Sequence, residues 1–349
     1  MTGSTKLLGA ADVAEIVRSR GVEGTLDELI ERLRDALGAH DPATVRTPAR
    51  AGFHYERPAL GLLEWMPAME LGRVIGVKTV GYHPANPTGR GLPSIVASTA
   101  LYDPGTGALV ALVDATLLTA LRTGAASAIA TDILARPGPT VLGVIGCGAQ
   151  AVAQVHAISR VRPLEAVLVH DSDPEVAASF ARRTAFLDRP VHVLAGDDRQ
   201  RLLAESDVLC TATSVDVGAG PVVADGEHKP WLHVNAIGAD FPGKCELPRS
   251  LLARALVCPD VVEQCRAEGE LQQLDGQRCG PDLPTLVQQR ERYEPCRDSL
   301  TVFDSTGWAV EDLVAAELAI ELAGRFRIGQ RFELHAPGAD PHDPYEELV

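Results

Sequence analysis

The sequence has few aromatic residues, few cationic residues and no long apolar run. Aromatic side chains make up 4% of its 349 residues, so we expect a core of Ala, Val, Leu and Ile. Lys and Arg number 32 against 47 Asp and Glu, which gives a formal net charge of −15. Such an acidic surface repels nucleic-acid phosphates and anionic lipid. The start, MTGSTKLLGA, lacks the apolar run of a signal peptide, and no apolar stretch reaches the roughly 18 residues of a membrane helix.

The cysteines argue against both a disulfide framework and a metal centre. There are 7 of them, an odd number, and no CxxC pair occurs. No group of His, Cys, Asp and Glu has the spacing of metal ligands, so we expect no metal. A G-x-S-x-G nucleophile elbow is also absent. Together these features favour a protein of the reducing cytoplasm, with neither nucleic acid nor membrane as a partner.

Hydrophobic patterning predicts two α/β domains. Residues 11–38 have helical periodicity, and residues 50–114 contain short apolar runs broken by Gly and Pro, which indicate a mixed or antiparallel sheet. From residue 140 onward apolar strands alternate with helices, which is typical of a doubly wound parallel sheet. We therefore predict a Rossmann domain at 115–320. Residues 1–114 and 321–349 are predicted to form a second, α+β domain for substrate binding and dimerisation.

The strongest local signal is a dinucleotide-binding fingerprint. Gly146, Gly148 and Ala151 fit G-x-G-x-x-A directly after the predicted buried strand TVLGVIG. The first Gly permits a tight turn, the second lets a pyrophosphate approach the backbone, and the small third residue allows close helix packing. Asp171 ends the next predicted strand, where an acidic residue can bind the ribose hydroxyls and repel a 2′-phosphate. The motif predicts NAD rather than NADP, against the alternative of a Gly-containing turn in an unrelated α/β fold.

Four charged residues stand in apolar surroundings, and each has a structural and a functional interpretation. Arg122 interrupts an Ala-rich helix, either as a surface arginine or as a bidentate carboxylate ligand. Lys78 and Glu64 lie within predicted strands, where such residues usually face solvent. Asp240 follows an apolar strand at the carboxyl edge of the sheet, where Rossmann ligands bind, but it could equally cap a turn.

The chain resembles the ornithine cyclodeaminase/μ-crystallin family, in segments that run in family order across nearly the whole sequence. Within the family it is most similar to the L-lysine cyclodeaminases of pipecolate biosynthesis. The matching segments include GLLEWMP (61–67), GVKTVGYHPANP (76–87), ALVDATLLTALRTGAASAIAT (111–131), GVIGCGAQAVAQ (143–154), VNAIGADFPGKCEL (234–247) and VFDSTGWAVEDL (302–313).

The resemblance implies roles for individual residues. Arg50, Lys78 and Arg122 match the cationic residues that hold the substrate carboxylate. Glu64 matches the acidic residue near the substrate amino groups, and Asp240 matches the catalytic aspartate. The implied cofactor contacts are Ser94, Thr123, Gly146, Gly148, Ala149, Gln150, Asp171, Thr211, Ala212, Thr213, Ser214, Ser305, Thr306 and Gly307.

The resemblance also implies a reaction, an ammonia-lyase conversion of L-lysine to L-pipecolate in secondary metabolism. NAD would accept a hydride from the substrate Cα and return it to the ring, so that the cofactor is regenerated. Three alternatives stay open: L-ornithine as substrate, a net amino-acid dehydrogenase or ketimine reductase, and a non-catalytic binding protein. A lysine and an ornithine pocket differ by one methylene, which changes binding by only about 1–3 kcal/mol. The family further implies a homodimer.

Overall fold

The computed structural model describes residues 4–274, 276, 279–335, 340–343 and 345. The strands are β1 Ser4–Leu8, β2 Val45–Arg46, β3 Ala51–Tyr55, β4 Gly61–Glu70, β5 Val74–Tyr82, β6 Ile95–Tyr102, β7 Leu109–Asp114, β8 Thr140–Ile145, β9 Leu164–His170, β10 Val191–Val193, β11 Val208–Thr211, β12 His233–Ala236, β13 Leu256–Pro259, β14 Thr301–Asp304 and β15 Gln330–Glu333.

The α-helices are α1 Ala10–Arg20, α2 Val22–Gly38, α3 Asn86–Arg90, α4 Thr116–Leu134, α5 Ala149–Val161, α6 Pro174–Arg183, α7 Arg199–Glu205, α8 Arg249–Leu252, α9 Val262–Glu268, α10 Leu283–Gln288, α11 Arg290–Tyr293 and α12 Ala309–Phe326. Short 3₁₀ helices cover Gly196–Asp198, Glu270–Gln273 and Glu294–Asp298.

The chain divides into two compact units. Unit 1 comprises the described residues of Met1–Val22, Asp41–Thr119 and Asp312–Val349. Unit 2 comprises those of Glu23–His40 and Ala120–Glu311. Most of α2 belongs to unit 2, where Asp27 on this helix pairs with Arg160 at 2.7 Å.

Unit 1 is built on an 8-stranded sheet in the order β15-β1-β7-β6-β5-β4-β2, with β3 paired to β4. Strands β1 and β7 run parallel, whereas the other pairs are antiparallel. Residues 50–114 were expected to form a mixed or antiparallel sheet, and the sheet is mixed, with mainly antiparallel pairs. Strands β1 and β15 were not predicted, because neither is a continuous apolar run: β1 contains Lys6, and β15 is exposed at every position.

Unit 2 is built on a 7-stranded, wholly parallel sheet in the order β10-β9-β8-β11-β12-β14-β13. The strand order reverses between β8 and β11, and ligands of doubly wound sheets bind at this switch point. Two clusters of buried Val, Leu, Ile and Ala side chains cover the sheet. Burial on both faces explains why these strands are continuous apolar runs in the sequence. The predicted α/β class with a Rossmann sheet is confirmed.

The first helical segment of the chain differs from the sequence expectation. The helical run expected over 11–38 is two helices, because Gly21 takes a φ of 84°, which ends α1.

Helix α4 is long enough to cross a membrane, and its mean hydropathy of 1.2 is high enough. However, 83% of that window is buried within the protein. Together with Arg122 in its middle, this burial is the pattern of a core helix.

Candidate functional site

The glycine fingerprint forms a tight turn at the switch point of the parallel sheet. Gly146 follows β8 with a φ of 88°, and a Cβ on it would lie 2.6 Å from the carbonyl oxygen of Ala212. Any side chain at this position would therefore collide with the segment that follows β11. Gly148 is the N-cap of α5, and a Cβ there would meet no described heavy atom within 4 Å. The turn leaves open space before the N-terminus of α5, where backbone N–H groups attract a phosphate.

Asp171 lies beside this turn. Its Oδ2 accepts the backbone N–H of Cys147 at 2.6 Å, and its Oδ1 accepts the N–H of Asp173 at 2.9 Å. From the other side, Arg183 Nη2 donates to the carbonyl of Cys147 at 2.6 Å. An ionised carboxylate has about four acceptor sites, so these two backbone bonds leave capacity for ribose hydroxyls.

The segments after β11 and β12 converge on a residue that the sequence did not single out. Glu246 is fully buried and accepts hydrogen bonds from Thr211, Thr213 and Gly238. Burial raises the pKa of its carboxyl, and the bonds from Thr211 and Thr213 oppose that rise. Two of the predicted cofactor contacts, Thr211 and Thr213, are thus organised by one internal carboxylate.

A buried acid, Asp260, organises the turn after β14. Asp260 Oδ2 accepts the N–H of Gly307 at 2.6 Å and the hydroxyl of Ser305 at 3.2 Å, while Thr306 donates to its Oδ1 at 3.3 Å. Asp304 ends β14 and is fully buried, and burial raises its pKa to about 7. The predicted nicotinamide turn is therefore a rigid, internally bonded loop.

Arg122 lies against this same turn. Its Nη1 donates to Glu311 Oε2 at 2.7 Å, and both side chains are buried. A Cβ on Gly307 would come within 2.6 Å of Arg122 Nη1, so the guanidinium is in contact with the turn backbone. Unit 2 thus brings one predicted carboxylate ligand next to the predicted nicotinamide contacts.

Asp240 lies four residues beyond the end of β12. Lys244 Nζ donates to its Oδ1 at 3.1 Å, and 46% of the Asp240 side chain is exposed. Gln272 accepts the N–H of Gly243 and donates to the carbonyl of Lys244, which fixes the segment. Asp240 is therefore a solvent-accessible carboxylate on a braced loop.

Unit 1 brings together Arg50, Glu64 and Lys78. Glu64 is opposite Val80 and Met66 is opposite Lys78 in the β4–β5 register, which places Glu64 and Lys78 on one face of the sheet. Arg50 Nη1 is 3.9 Å from Glu64 Oε2. Lys78 is 1% exposed, and its Nζ donates to Asp312 Oδ1 at 2.7 Å. Two cations, Arg50 and Lys78, and two carboxylates, Glu64 and Asp312, are thus paired at this face of the sheet.

The remaining predicted contacts have simpler surroundings. Gln150 Nε2 donates to the carbonyl of Ala120 at 3.3 Å. The carbonyl of Ser94 accepts the N–H of His83 at 2.8 Å. Thr123 is buried beside Arg122 on α4, Ala149 opens α5, and Ser214 follows Thr213.

Sequence reasoning missed the partners of these residues: Glu246, Asp260, Glu311 and Asp312. A signal for each was present, since an acidic residue within an apolar segment is rarely buried without a partner. Glu311 and Asp312 stand in the apolar helix AVEDLVAAEL, and Asp260 directly follows the buried strand LVCP. What the pattern does not give is the identity of the partner.

Comparison with known proteins gives matches over nearly the whole chain. The model of the ornithine cyclodeaminase/mu-crystallin family matches residues 11–324. An L-lysine cyclodeaminase of Streptomyces rapamycinicus is 43% identical over 344 residues, which cover 98% of this chain and 99% of that protein.

Two solved structures share the fold. One belongs to a lysine cyclodeaminase described as recognising L-lysine, L-ornithine and L-2,4-diaminobutyric acid. It has a TM-score of 0.94 and 47% identity, and the match covers 98% of this chain and 99% of that one. The other is an archaeal alanine dehydrogenase dimer with bound NAD, with a TM-score of 0.83 and 30% identity over 95% of this chain and 100% of that one.

Proposed function

The chain belongs to the ornithine cyclodeaminase/μ-crystallin family, and on that premise we propose that it converts L-lysine to L-pipecolate and ammonia. The observation that carries the proposal is the 43% identity to an L-lysine cyclodeaminase over 98% of this chain. The match covers 98% of this chain and therefore spans both units.

NAD is the proposed cofactor, and the residues around Gly146 fit it. The turn at the switch point leaves space at the N-terminus of α5, and Asp171 offers a carboxylate at the end of β9. When bound, NAD supplies the redox chemistry by accepting the Cα hydride of the substrate and returning it to the ring. Thr211 to Ser214 and Ser305 to Gly307 are the proposed further contacts. The bonds from Glu246 and Asp260 hold these two segments in fixed positions.

Arg50, Lys78 and Arg122 are the proposed ligands of the substrate carboxylate. A guanidinium offers a planar pair of donors that matches a carboxylate, and an ammonium adds a point charge. Lys78 and Arg122 are buried and each is held by an acidic residue, which fixes their positions before substrate arrives. Such pre-organisation lowers the cost of orienting the substrate.

Asp240 is the proposed general acid and base. The terminal ammonium of lysine has a pKa of about 10.4 in water and must lose a proton before it can close the ring. The Asp240 carboxylate can accept that proton and return one to the departing ammonia. Its partner Lys244 donates to Oδ1 at 3.1 Å, which orients the carboxylate. Glu64 balances the ammonium charge of the substrate.

A second candidate substrate is a shorter diamino acid. The lysine cyclodeaminase neighbour, at 47% identity, is described as recognising L-ornithine and L-2,4-diaminobutyric acid as well. The same residues could close a smaller ring, since the α-carboxylate and α-amino group are common to all three.

In this proposal, two copies associate through unit 1, and the protein acts in the cytoplasm. The archaeal alanine dehydrogenase neighbour is a dimer. One sheet face of unit 1 exposes Phe53 by 64%, Val96 by 44%, and Leu63 and Trp65 by 37% each. Exposed apolar patches of this kind commonly mark protein interfaces. All seven cysteines are free thiols, as expected in a reducing compartment.

Incubation of the purified protein with each diamino acid and a catalytic amount of NAD⁺ tests the function. We expect pipecolate and ammonia from L-lysine without net NADH. Proline from L-ornithine in preference to pipecolate would move the assignment to the shorter substrate. NADH formed in proportion to ammonia would make the protein a dehydrogenase, and no product from either amino acid would reject the proposal.

A further inference from the structure

Glu246 is an internal carboxylate with no solvent exposure and several hydrogen-bond donors around it. Its Oε2 accepts the hydroxyl of Thr211 at 2.6 Å and the backbone N–H of Gly238 at 2.7 Å. Its Oε1 accepts both the backbone N–H and the hydroxyl of Thr213, each at 2.7 Å. Both oxygens are thus used, and the donors come from two different loops.

These two loops carry separate parts of the proposed chemistry. Thr211 is the last residue of β11, and Thr213 lies in the cofactor segment that follows this strand. Gly238 belongs to the segment after β12, two residues before Asp240. A Cβ on Gly238 would overlap Glu246 Oε1, so the close approach of carboxylate and backbone requires glycine here. One side chain therefore sets the spacing between the cofactor loop and the Asp240 loop.

Hydrogen bonds donated by backbone N–H groups connect Glu246 to Glu270 and, through it, to Asp304 at the end of β14. The backbone N–H of Glu246 donates to Glu270 Oε1 at 2.7 Å, and the N–H of Glu270 donates to Asp304 Oδ1 at 2.8 Å. Asp304 is the last residue of β14 and precedes the Ser305–Gly307 turn. Through these bonds Glu246 is connected to the ends of β11, β12 and β14.

We infer that Glu246 is a positioning residue that holds the cofactor loop and the Asp240 loop in the geometry needed for NAD binding and turnover. The inference deepens the proposed function and rests on it. A carboxylate is required because the N–H groups of Thr213 and Gly238 can only donate. A glutamine would turn its amide NH₂ toward one of these donors and push that loop away.

The test is the NAD affinity of Glu246→Gln, measured by calorimetry with NAD⁺ alone at a temperature where the variant is folded. We expect at least a tenfold weaker affinity, and a fall in kcat with L-lysine at saturating NAD⁺. Glu246→Asp keeps the charge but is one methylene too short to reach both loops. It should show the same defect, and it serves as the second variant should Glu246→Gln not fold.

Asp207→Asn is the matched control. Asp207 precedes β11 at the amino end of the sheet. It accepts hydrogen bonds from Val141 N–H, Lys229 Nζ and Trp231 Nε1. These bonds lie at the opposite end of β11 from the cofactor loop. Asp207→Asn should lower the midpoint temperature of thermal unfolding, whereas its affinity for NAD should stay within twofold of wild type.

Two results would overturn the inference. One is an NAD affinity and a kcat within twofold of wild type in folded Glu246→Gln or Glu246→Asp. The other is an equal loss of NAD affinity in Asp207→Asn, which would show that reduced stability of the fold, and not the position of the two loops, weakens NAD binding. The calorimetric assay needs no lysine turnover, so it tests the role of Glu246 independently of the reaction. Wild-type protein that binds NAD but forms no pipecolate would reject the proposed function and leave the role of Glu246 to the NAD affinities.

Discussion

Lys78 Nζ donates to Asp312 Oδ1 at 2.7 Å, with 1% and 4% of the two side chains exposed. Because both side chains are removed from water, the substitution of one leaves the charge of the other unbalanced in a buried position. The lysine comes from the middle of β5 and the aspartate from α12, so the pair also joins this helix to the sheet of unit 1. Asp312 thereby fixes the ammonium that we propose as a carboxylate ligand.

Lys78→Met should cost roughly 3–5 kcal/mol of unfolding free energy, because it removes the buried positive charge that is paired with Asp312. The double variant Lys78→Met/Asp312→Asn should recover most of that loss. Both variants should raise the KM for L-lysine by about 10- to 100-fold, the effect of one lost charged hydrogen bond. Chemical denaturation and initial-rate kinetics measure the two effects separately. If the double variant regains a normal KM, Lys78 has no role in binding the substrate.

Asp240→Asn should lower kcat by about 10²- to 10⁴-fold, the usual contribution of a general acid or base. NAD affinity should not change, since an asparagine has the same shape and the loop remains braced by Gln272. Ammonia release and NAD calorimetry are the two readouts. Turnover within threefold of wild type would show that another group transfers the proton.

Asp171→Ala and Asp173→Ala should separate cofactor binding from helix capping. Asp171 lies beside the glycine turn, and its loss should weaken NAD binding at least tenfold and narrow the preference for NAD over NADP. Asp173 caps α6 through the N–H groups of Glu175 and Val176, so its loss should cost about 0.5–2 kcal/mol of stability. Calorimetry with NAD⁺ and NADP⁺ should show normal binding for Asp173→Ala. Normal NAD affinity in Asp171→Ala would remove it from the cofactor site.

His233 should make the protein acid-sensitive. Burial lowers its pKa to about 3, whereas an unfolded histidine titrates near 6.5. Between pH 6.5 and pH 3 the unfolded chain therefore binds a proton at His233 that the folded chain does not bind. The contribution of His233 to the unfolding free energy is complete above pH 6.5 and declines as the pH falls toward 3. At pH 5 the loss is about 2 kcal/mol.

His233→Asn should remove about 2 kcal/mol from the difference in unfolding free energy between pH 7.5 and pH 5. Denaturant titrations at both pH values measure it. The substitution also alters the bond between His233 Nδ1 and Thr301 Oγ1, but that change lowers stability at both pH values and cancels in the difference. An unchanged difference would place the acid sensitivity elsewhere.

Trp65→Glu should produce monomers, since it puts a charge into the proposed interface of unit 1. Val193→Glu is the control, because Val193 is 44% exposed on the edge strand of the other sheet. Sedimentation velocity should show a dimer for wild type and for the control. A monomeric wild type, or a dimeric Trp65→Glu variant, would contradict the proposed interface.

Local signals predicted much of the fold. An aspartate followed by proline is a local signal for the start of a helix, and Asp173 is the N-cap of α6 with Pro174 at its first position. The run TVLGVIGCG indicated a buried strand and a glycine turn, and both are present. Such features depend on neighbours a few residues apart, so periodicity and turn chemistry reveal them.

The partners of the site residues could not be predicted in this way. Lys78 and Asp312 are separated by 234 positions in the sequence, and Thr211 and Glu246 by 35. Which acid meets which cation depends on how the strands and helices assemble, and no local pattern encodes it. The resemblance supplied the residues that are proposed to contact the ligands, whereas the structure supplied the groups that hold these residues.

The most direct test of the central claim follows the atoms of the substrate. L-Lysine with deuterium at Cα and ¹⁵N in the α-amino group is incubated with the protein and a trace of NAD⁺, and the products are analysed by mass spectrometry. The proposed cyclodeamination predicts pipecolate that retains the deuterium, ¹⁵N in the released ammonia, and no accumulation of NADH. Pipecolate without deuterium, or NADH rising in step with ammonia, would contradict it.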